Sequence, residues 1–226
     1  MTELDDRLRA VAALIRPGSR VADIGTDHAY LPVWLVQVGV CPTAIASDVK
    51  PGPLAAAKTH IRAAGLESKI AVRLGDGLAT VAPSEADDIV IAGMGGETIA
   101  AILAATPWVR DARLRLVLQP MSRAEETRRW LLTNGFAIET ERLVIDGHHQ
   151  YPVMAAGYTG AAPVDDPYAF YAGALDPVEA RPYFEMTAEH LLRRAIGARH
   201  AGDERTAAEL TEIAGRLRRA DSCLHF

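Results

Sequence analysis

The segment from Arg20 to Val36 sets the terms for the rest of the chain. A short apolar run, Val21 to Ile24, carries one carboxylate, Asp23, and breaks at Gly25. After Thr26-Asp27-His28-Ala29 the apolar character returns as Tyr30-Leu31-Pro32-Val33-Trp34-Leu35-Val36. The pattern reads as strand, tight turn, helix start. Gly25 allows the turn and the close approach of a ligand, and the helix start behind it presents N–H groups without intrahelical partners. In an open parallel sheet, ligands bind in the crevice beyond the strand ends. Two acids, a histidine and a tyrosine between Asp23 and Tyr30 are more polar groups than the turn itself requires.

The same unit recurs along the chain. Leu4, Leu8, Val11, Ala12 and Ile15 recur at helical spacing, so residues 3–15 are expected to form an amphipathic helix that stops at Pro17-Gly18. Strands are then expected at 21–24, 43–47, 70–74, 88–92 and 114–118. Helices are expected at 30–38, 51–64, 97–105 and 124–133. Phe136–Ile145 and Tyr151–Tyr158 are strand-like and joined by Asp146-Gly147-His148-His149-Gln150, too short for a helical crossover, so they form an antiparallel hairpin. Five βα units closed by a hairpin give the seven-stranded α/β sheet of a class I methyltransferase. A dehydrogenase-type sheet would keep alternating strand and helix. The polar, proline-containing stretch Gly160–Asp166 divides a domain at 1–160 from a helical domain at 161–226. In the second, Phe184, Ala188, Leu191, Ala195 and Ala198 form one stripe, and Ala207, Leu210, Ala214 and Leu217 another. Gly202-Asp203 is the turn of a helical hairpin between them.

Composition narrows the function classes. The net charge of −5 gives no global basic signature for nucleic acid, though a local basic face remains open. Cys41 and Cys223 match neither a disulfide framework nor a metal-ligand spacing. With the charged, signal-free start from Met1 to Arg9 and no apolar run long enough to span a bilayer, they point to a soluble cytoplasmic protein. We expect a monomer without a metal; His148-His149 reads as an exposed turn.

The strand ends carry the chemistry. Asp48 stands 23 residues after Gly25 and can accept hydrogen bonds from both hydroxyls of a ribose, the alternative being a cap before Pro51. Asp76, in Gly75-Asp76-Gly77, could take an adenine amino group or could simply form an Asp-Gly turn. The first loop lacks the second glycine that a dinucleotide pyrophosphate needs, and Asp27 would repel one. S-adenosylmethionine presents a sulfonium and an ammonium, which carboxylates attract, and Asp23 could face them. Gly93-Met94-Gly95-Gly96 could admit a flat base or form a tight turn, and Gln119-Pro120 could line the same cleft. The Asn/Asp-Pro-Pro-aromatic motif of many amine methyltransferases is absent. Asp27 is either a helix cap or a carboxylate placed to orient a base and stabilise developing positive charge, with His28 and Tyr30 around that base. Arg193, Arg194 and Arg199 on one tail helix, and Arg216, Arg218 and Arg219 on the next, could contact phosphates or form a solvated face.

Asp23 to Pro32, Gly75-Asp76-Gly77, Ile91-Ala92-Gly93-Met94-Gly95-Gly96 and Leu118-Gln119-Pro120 together resemble the bacterial tRNA (adenine-22-N1)-methyltransferase family. The resemblance runs from about residue 3 to 158 and, more loosely, through the tail. It implies a class I fold binding S-adenosylmethionine, with Asp23, Gly25, Asp48, Asp76, Gly77 and Gly93 around the cofactor. It implies that Asp27 is the catalytic acid. It also implies tRNA as substrate, with a helical C-terminal domain helping to hold it through residues such as Arg193 and Arg194. One departure is Pro152 after Tyr151, where members usually carry Glu. The other readings are a methyltransferase for a small molecule or protein, a cofactor-retaining interaction module, and an NAD-dependent oxidoreductase.

Overall fold

The computed structural model describes residues 3–147 and 149–220. Seven strands form one sheet in the order β3-β2-β1-β4-β5-β7-β6. β1 (Val21–Ile24), β2 (Ala44–Asp48), β3 (Ile70–Leu74), β4 (Asp88–Gly95) and β5 (Arg115–Ser122) run parallel. β6 (Phe136–Asp146) and β7 (His149–Tyr158) form the hairpin, and β7 pairs antiparallel with β5. The order reverses at β1, between β2 and β4, which opens a crevice at its carboxyl end.

Alternation explains why the strands read as apolar runs. Val21, Val90 and Val117 join the core beneath α1 (Asp6–Ala12), α2 (Tyr30–Gln37) and α3 (Pro51–Ala63). Ala22, Ile24, Ile89, Ile91, Leu116 and Leu118 join the opposite core, beneath α4 (Gly96–Ala104) and α5 (Ala124–Thr133). A parallel sheet covered on both faces needs apolar side chains on both. Asp5 caps α1 by accepting from Leu8 N at 2.7 Å, so that helix begins later than periodicity suggests.

Three expectations shift. β4 runs through Gly93-Met94-Gly95 rather than turning there, because β5 continues to pair with it across two register breaks. β5 likewise extends through Gln119-Pro120 to Ser122. The third of the five expected βα units has no helix, since β3 reaches β4 through turns at residues 75–87.

The amino ends of β1 and β4 are stapled by charge. The fully buried Asp88 accepts from Arg16 N (2.8 Å) and Arg16 Nε (2.7 Å), and Arg20 grips Asp87 at 2.7 Å. The tail comprises α6 (Pro167–Ala172), α7 (Arg181–His200) and α8 (Glu204–Arg218), around a third apolar cluster that includes Phe184, Ala188, Leu191, Leu210 and Leu217. Asp203 caps α8 through Thr206 N. Cys41 is buried and its thiol is pushed up to about 11, mainly by that burial, while Cys223 lies outside the described residues. No described helix is long and apolar enough to cross a membrane.

An internal ion pair joins tail to sheet. The side chains of Arg128 on α5 and Glu141 on β6 are both 0% exposed, with Nε to Oε1 at 2.8 Å. Arg128 Nη1 also donates to the carbonyls of Phe170 (3.3 Å) and Tyr171 (2.9 Å), and Glu141 Oε2 accepts from Ala174 N at 2.8 Å. Gly173 passes this pair at φ +62°, and a Cβ there would collide with Glu141 Oε2 and Arg128 Nε. Breaking one partner strands a buried charge. Arg128→Met should therefore lower urea-unfolding stability by about 3–5 kcal/mol, and adding Glu141→Leu should restore much of it.

Candidate functional site

Asp23 sits at the end of β1 on the face covered by α1 and α2 and is 5% exposed. Its Oδ2 accepts the Thr26 hydroxyl at 2.6 Å, the one hydrogen bond it makes among the described residues. Gly25 turns at φ +76°, and its N–H and that of Thr26 both donate to the Ser47 carbonyl, at 2.7 and 3.0 Å. The first loop is thereby tied to the end of β2. A Cβ at Gly25 would meet the terminal methyl of Met94, which can move aside, so it is the backbone geometry that asks for glycine here.

The next three residues all lie at positive φ: Asp27 (23°), His28 (59°) and Ala29 (57°). A left-handed backbone disfavours any residue with a Cβ. The surroundings hold it. His60 on α3 donates from Nδ1 to the His28 carbonyl at 3.0 Å. The Tyr30 ring lies 5.6 Å from that of His28 and 5.0 Å from that of His60. The result lifts the Asp27 carboxylate outward, its side chain 76% exposed, with His28 Nε2 at 3.5 Å from Oδ1.

Asp23, Gly25, Asp27, Tyr30 and Gly93 line one cavity of about 360 Å³, together with Asp5, Arg7 and Met121. Arg7 and Met121 escaped the sequence reading. Arg7 arrives from α1 and donates from Nη1 to Gln119 Oε1 at 3.0 Å, an atom that also accepts Gly93 N at 3.0 Å. Gln119 is fully buried and spends its amide nitrogen on the Pro120 carbonyl (3.1 Å) and Met121 Sδ (3.5 Å). It therefore positions Arg7 and the end of β4 and has no group to spare for a base. Met94 packs onto Gly25 and the α4-side core, and Met121 takes the cavity wall expected of it.

Asp76 and Gly77 line a neighbouring cavity of about 450 Å³ beside α4, with Thr98, Ile102 and Trp108. Asp48 Oδ1 accepts Lys50 N at 2.7 Å, so the carboxylate closes its own turn and Oδ2 remains as an acceptor. Arg193 and Arg194 lie apart from this cleft, on α7. Arg193 lines a third cavity and holds Glu189 loosely at 3.9 Å, while Arg194 donates to the Tyr171 hydroxyl at 3.3 Å. His149 stacks on Tyr151, whereas His148 lies outside the described residues.

The donor set suits a zwitterionic, cationic ligand better than an anionic one. A buried carboxylate with no cationic partner among the described residues lines the cavity, the loop exposes a second carboxylate, and the Arg7 guanidinium, 3.4 Å from Asp5, lines it as well. Burial pushes the Asp23 carboxyl up to about 6, opposed by the Thr26 hydrogen bond and helped by the nearby Asp48 charge. A bound cation would relieve that cost.

A family model described as "Methyltransferase domain" matches residues 4–154. The tRNA (adenine(22)-N(1))-methyltransferase of Bacillus subtilis is 42% identical over 154 residues, covering 68% of this chain and 65% of that protein. The match thus spans just under two thirds of that curated relative's length. The crystal structure of the B. subtilis m1A22 tRNA methyltransferase is similar over 98% of this chain and 99% of its own, at 33% identity and a TM-score of 0.79. A Streptococcus pneumoniae putative tRNA (m1A22) methyltransferase, crystallised with S-adenosyl-L-methionine, is similar over 96% of this chain and 100% of its own, at 30% identity and a TM-score of 0.79.

The Asp23 shift carries a sign. An acid whose folded value lies above its unfolded one costs stability once pH rises past the unfolded value, and the full cost is reached above about 6. Asp23→Asn lacks this cost. Between pH 4 and 7, the stability difference between Asp23→Asn and the native chain should therefore move by about 2 kcal/mol in favour of the variant, read from paired urea titrations.

Proposed function

Because the chain belongs to the bacterial tRNA (adenine-22-N1)-methyltransferase family, we propose that it transfers a methyl group from S-adenosylmethionine to N1 of adenine 22 in tRNA. The observation that carries this reading is a cavity that sets a buried carboxylate, paired with no cation among the described residues, beside an outward-lifted one. It favours a positively charged donor and a reaction that builds positive charge on a base.

When bound, S-adenosylmethionine supplies an electrophilic methyl group on a cationic sulfur. Asp23 holds negative charge toward the ammonium end, and Arg7 pairs with the carboxylate of the same amino acid moiety. Gly25 and Gly93 let the backbone come close. Asp48 Oδ2 accepts from the ribose hydroxyls, and Asp76 with Gly77 meets the adenine. Adenine N1 is already a lone-pair nucleophile, so no base has to deprotonate it. Asp27 accepts a hydrogen bond from the N6 amine, turns N1 toward the methyl group and stabilises the cation that forms. His28 and Tyr30 supply flat surfaces beside the incoming base. We assign residues 1–160 to this chemistry and the helical domain 161–226 to holding tRNA, with Arg193, Arg194, Arg218 and Arg219 as phosphate contacts.

Incubation with labelled methyl donor and unmodified tRNA, followed by mapping of the methylated base, tests the reaction; absence of N1-methyladenine at position 22 would overturn it. Asp27→Asn should leave the donor dissociation constant within about twofold and slow single-turnover transfer by about 10²-fold. Arg7→Gln should instead act on the donor, weakening its binding by roughly tenfold in calorimetry, the worth of one charge-assisted hydrogen bond.

A further inference from the structure

A cavity of about 500 Å³ lies between the turn after β5, the start of β7 and one face of α7. Met121 lines both it and the cavity that Asp27 lines, so the two are neighbours that share one wall residue. Its walls differ from those of the donor cleft. His149 and Tyr151 stack at 5.9 Å, 29° from parallel, and α7 adds Tyr183 and Met186. Gln150, between this cavity and a smaller one of about 180 Å³, has a buried Oε1 with no hydrogen-bond partner among the described residues. An unsatisfied buried acceptor costs free energy unless a ligand meets it. Arg123 is already engaged by Glu97 at 2.6 Å and Glu126 at 3.1 Å. That leaves Arg193, held only at 3.9 Å by Glu189, as the loosely committed cation at the wall.

Aromatic faces, one orphan acceptor and one available cation match a single nucleotide: a base to stack, an exocyclic amine to donate, a phosphate to pair. We propose that this cavity receives the nucleobase of the nucleotide adjoining the methylated adenine, so that the RNA is held by two extruded bases. A turn of the Gln150 side chain on binding presents its acceptor to the base and favours one with an exocyclic amine over uracil. The proposal rests on the tRNA reading and adds a second base subsite to it.

The test uses the full chain, unmodified tRNA, and tRNAs with an abasic residue, a cytosine or a uracil immediately 5′ or 3′ of the target adenine. Fluorescence anisotropy reads RNA affinity, single-turnover methylation reads transfer, and calorimetry reads donor binding. Thr187→Trp fills the cavity from α7, and Gln150→Leu removes the acceptor with little change of shape. The native chain should lose about tenfold in affinity for one of the two abasic tRNAs. Thr187→Trp should lose about tenfold on intact tRNA and nothing further on that abasic one, the coupling expected of two changes at one contact. Gln150→Leu should narrow the native preference for an amine-bearing base over uracil at that position. Donor binding should stay within twofold throughout. If both variants bind and methylate like the native chain, or if their losses simply add to the abasic loss, the subsite is overturned. Should Thr187→Trp melt early, Gln150→Leu decides alone. A native chain that binds donor but neither binds nor methylates tRNA overturns the tRNA reading itself and this subsite with it, a failure visible before any substitution.

Discussion

The central strands β1, β4 and β5 are covered on both faces by apolar helices, so polar chemistry reaches them at their ends. The two ends are used in opposite ways. At the amino ends of β1 and β4, Arg16 neutralises Asp88 and Arg20 neutralises Asp87, and Arg20 holds the Asp87 carboxyl down to about 2. At the carboxyl ends, Asp23 is buried with a hydroxyl for company and Asp27 is lifted into solvent. Charge is settled where the fold must be rigid and left unsettled where a ligand must enter.

Much of this was legible in the chain itself. The limits of β1, β3 and α5 coincide with those read from apolar runs and their punctuation, because both signals are local. The hairpin and the α7–α8 turn at Gly202-Asp203 follow for the same reason. What escaped was long-range. Arg7 enters the cleft through Gln119, 112 positions away, and nothing near Arg7 announces that partner. Gly93-Met94-Gly95 carries the composition of a turn, but pairing with β5 overrides it through a bulge. Met94 and Met121 look equally suited to a cleft wall, and only packing against Gly25 separates them. The short helix α6 is set by Asp166 capping Tyr168 N, a local signal masked by the small, polar stretch before it.

The tail shows why counting cations misleads. Arg216 is held by Asp166 at 2.8 Å and lies 4.1 Å over the Tyr168 ring, so it fastens α8 to α6. Arg199 and Arg193 make looser contacts with Glu204 (3.5 Å) and Glu189 (3.9 Å). Exposed pairs of that kind contribute little to stability, so exchanging a carboxylate for a phosphate costs them almost nothing. The buried Arg128–Glu141 pair is of another kind. It ties α5 and β6 to the end of α6 through Phe170, Tyr171 and Ala174, the segment that leads on to α7.

Three consecutive left-handed residues, none of them glycine, end in the start of α2. Each such residue costs on the order of 1 kcal/mol, and glycine would adopt the same path without that penalty. Yet glycine at 27 would carry no carboxylate and at 28 no ring. The chain keeps the costly residues and braces them from α3. Selection at these positions is thus pulled two ways at once, and a screen for thermal robustness would tend to erase the groups on which turnover is proposed to rely.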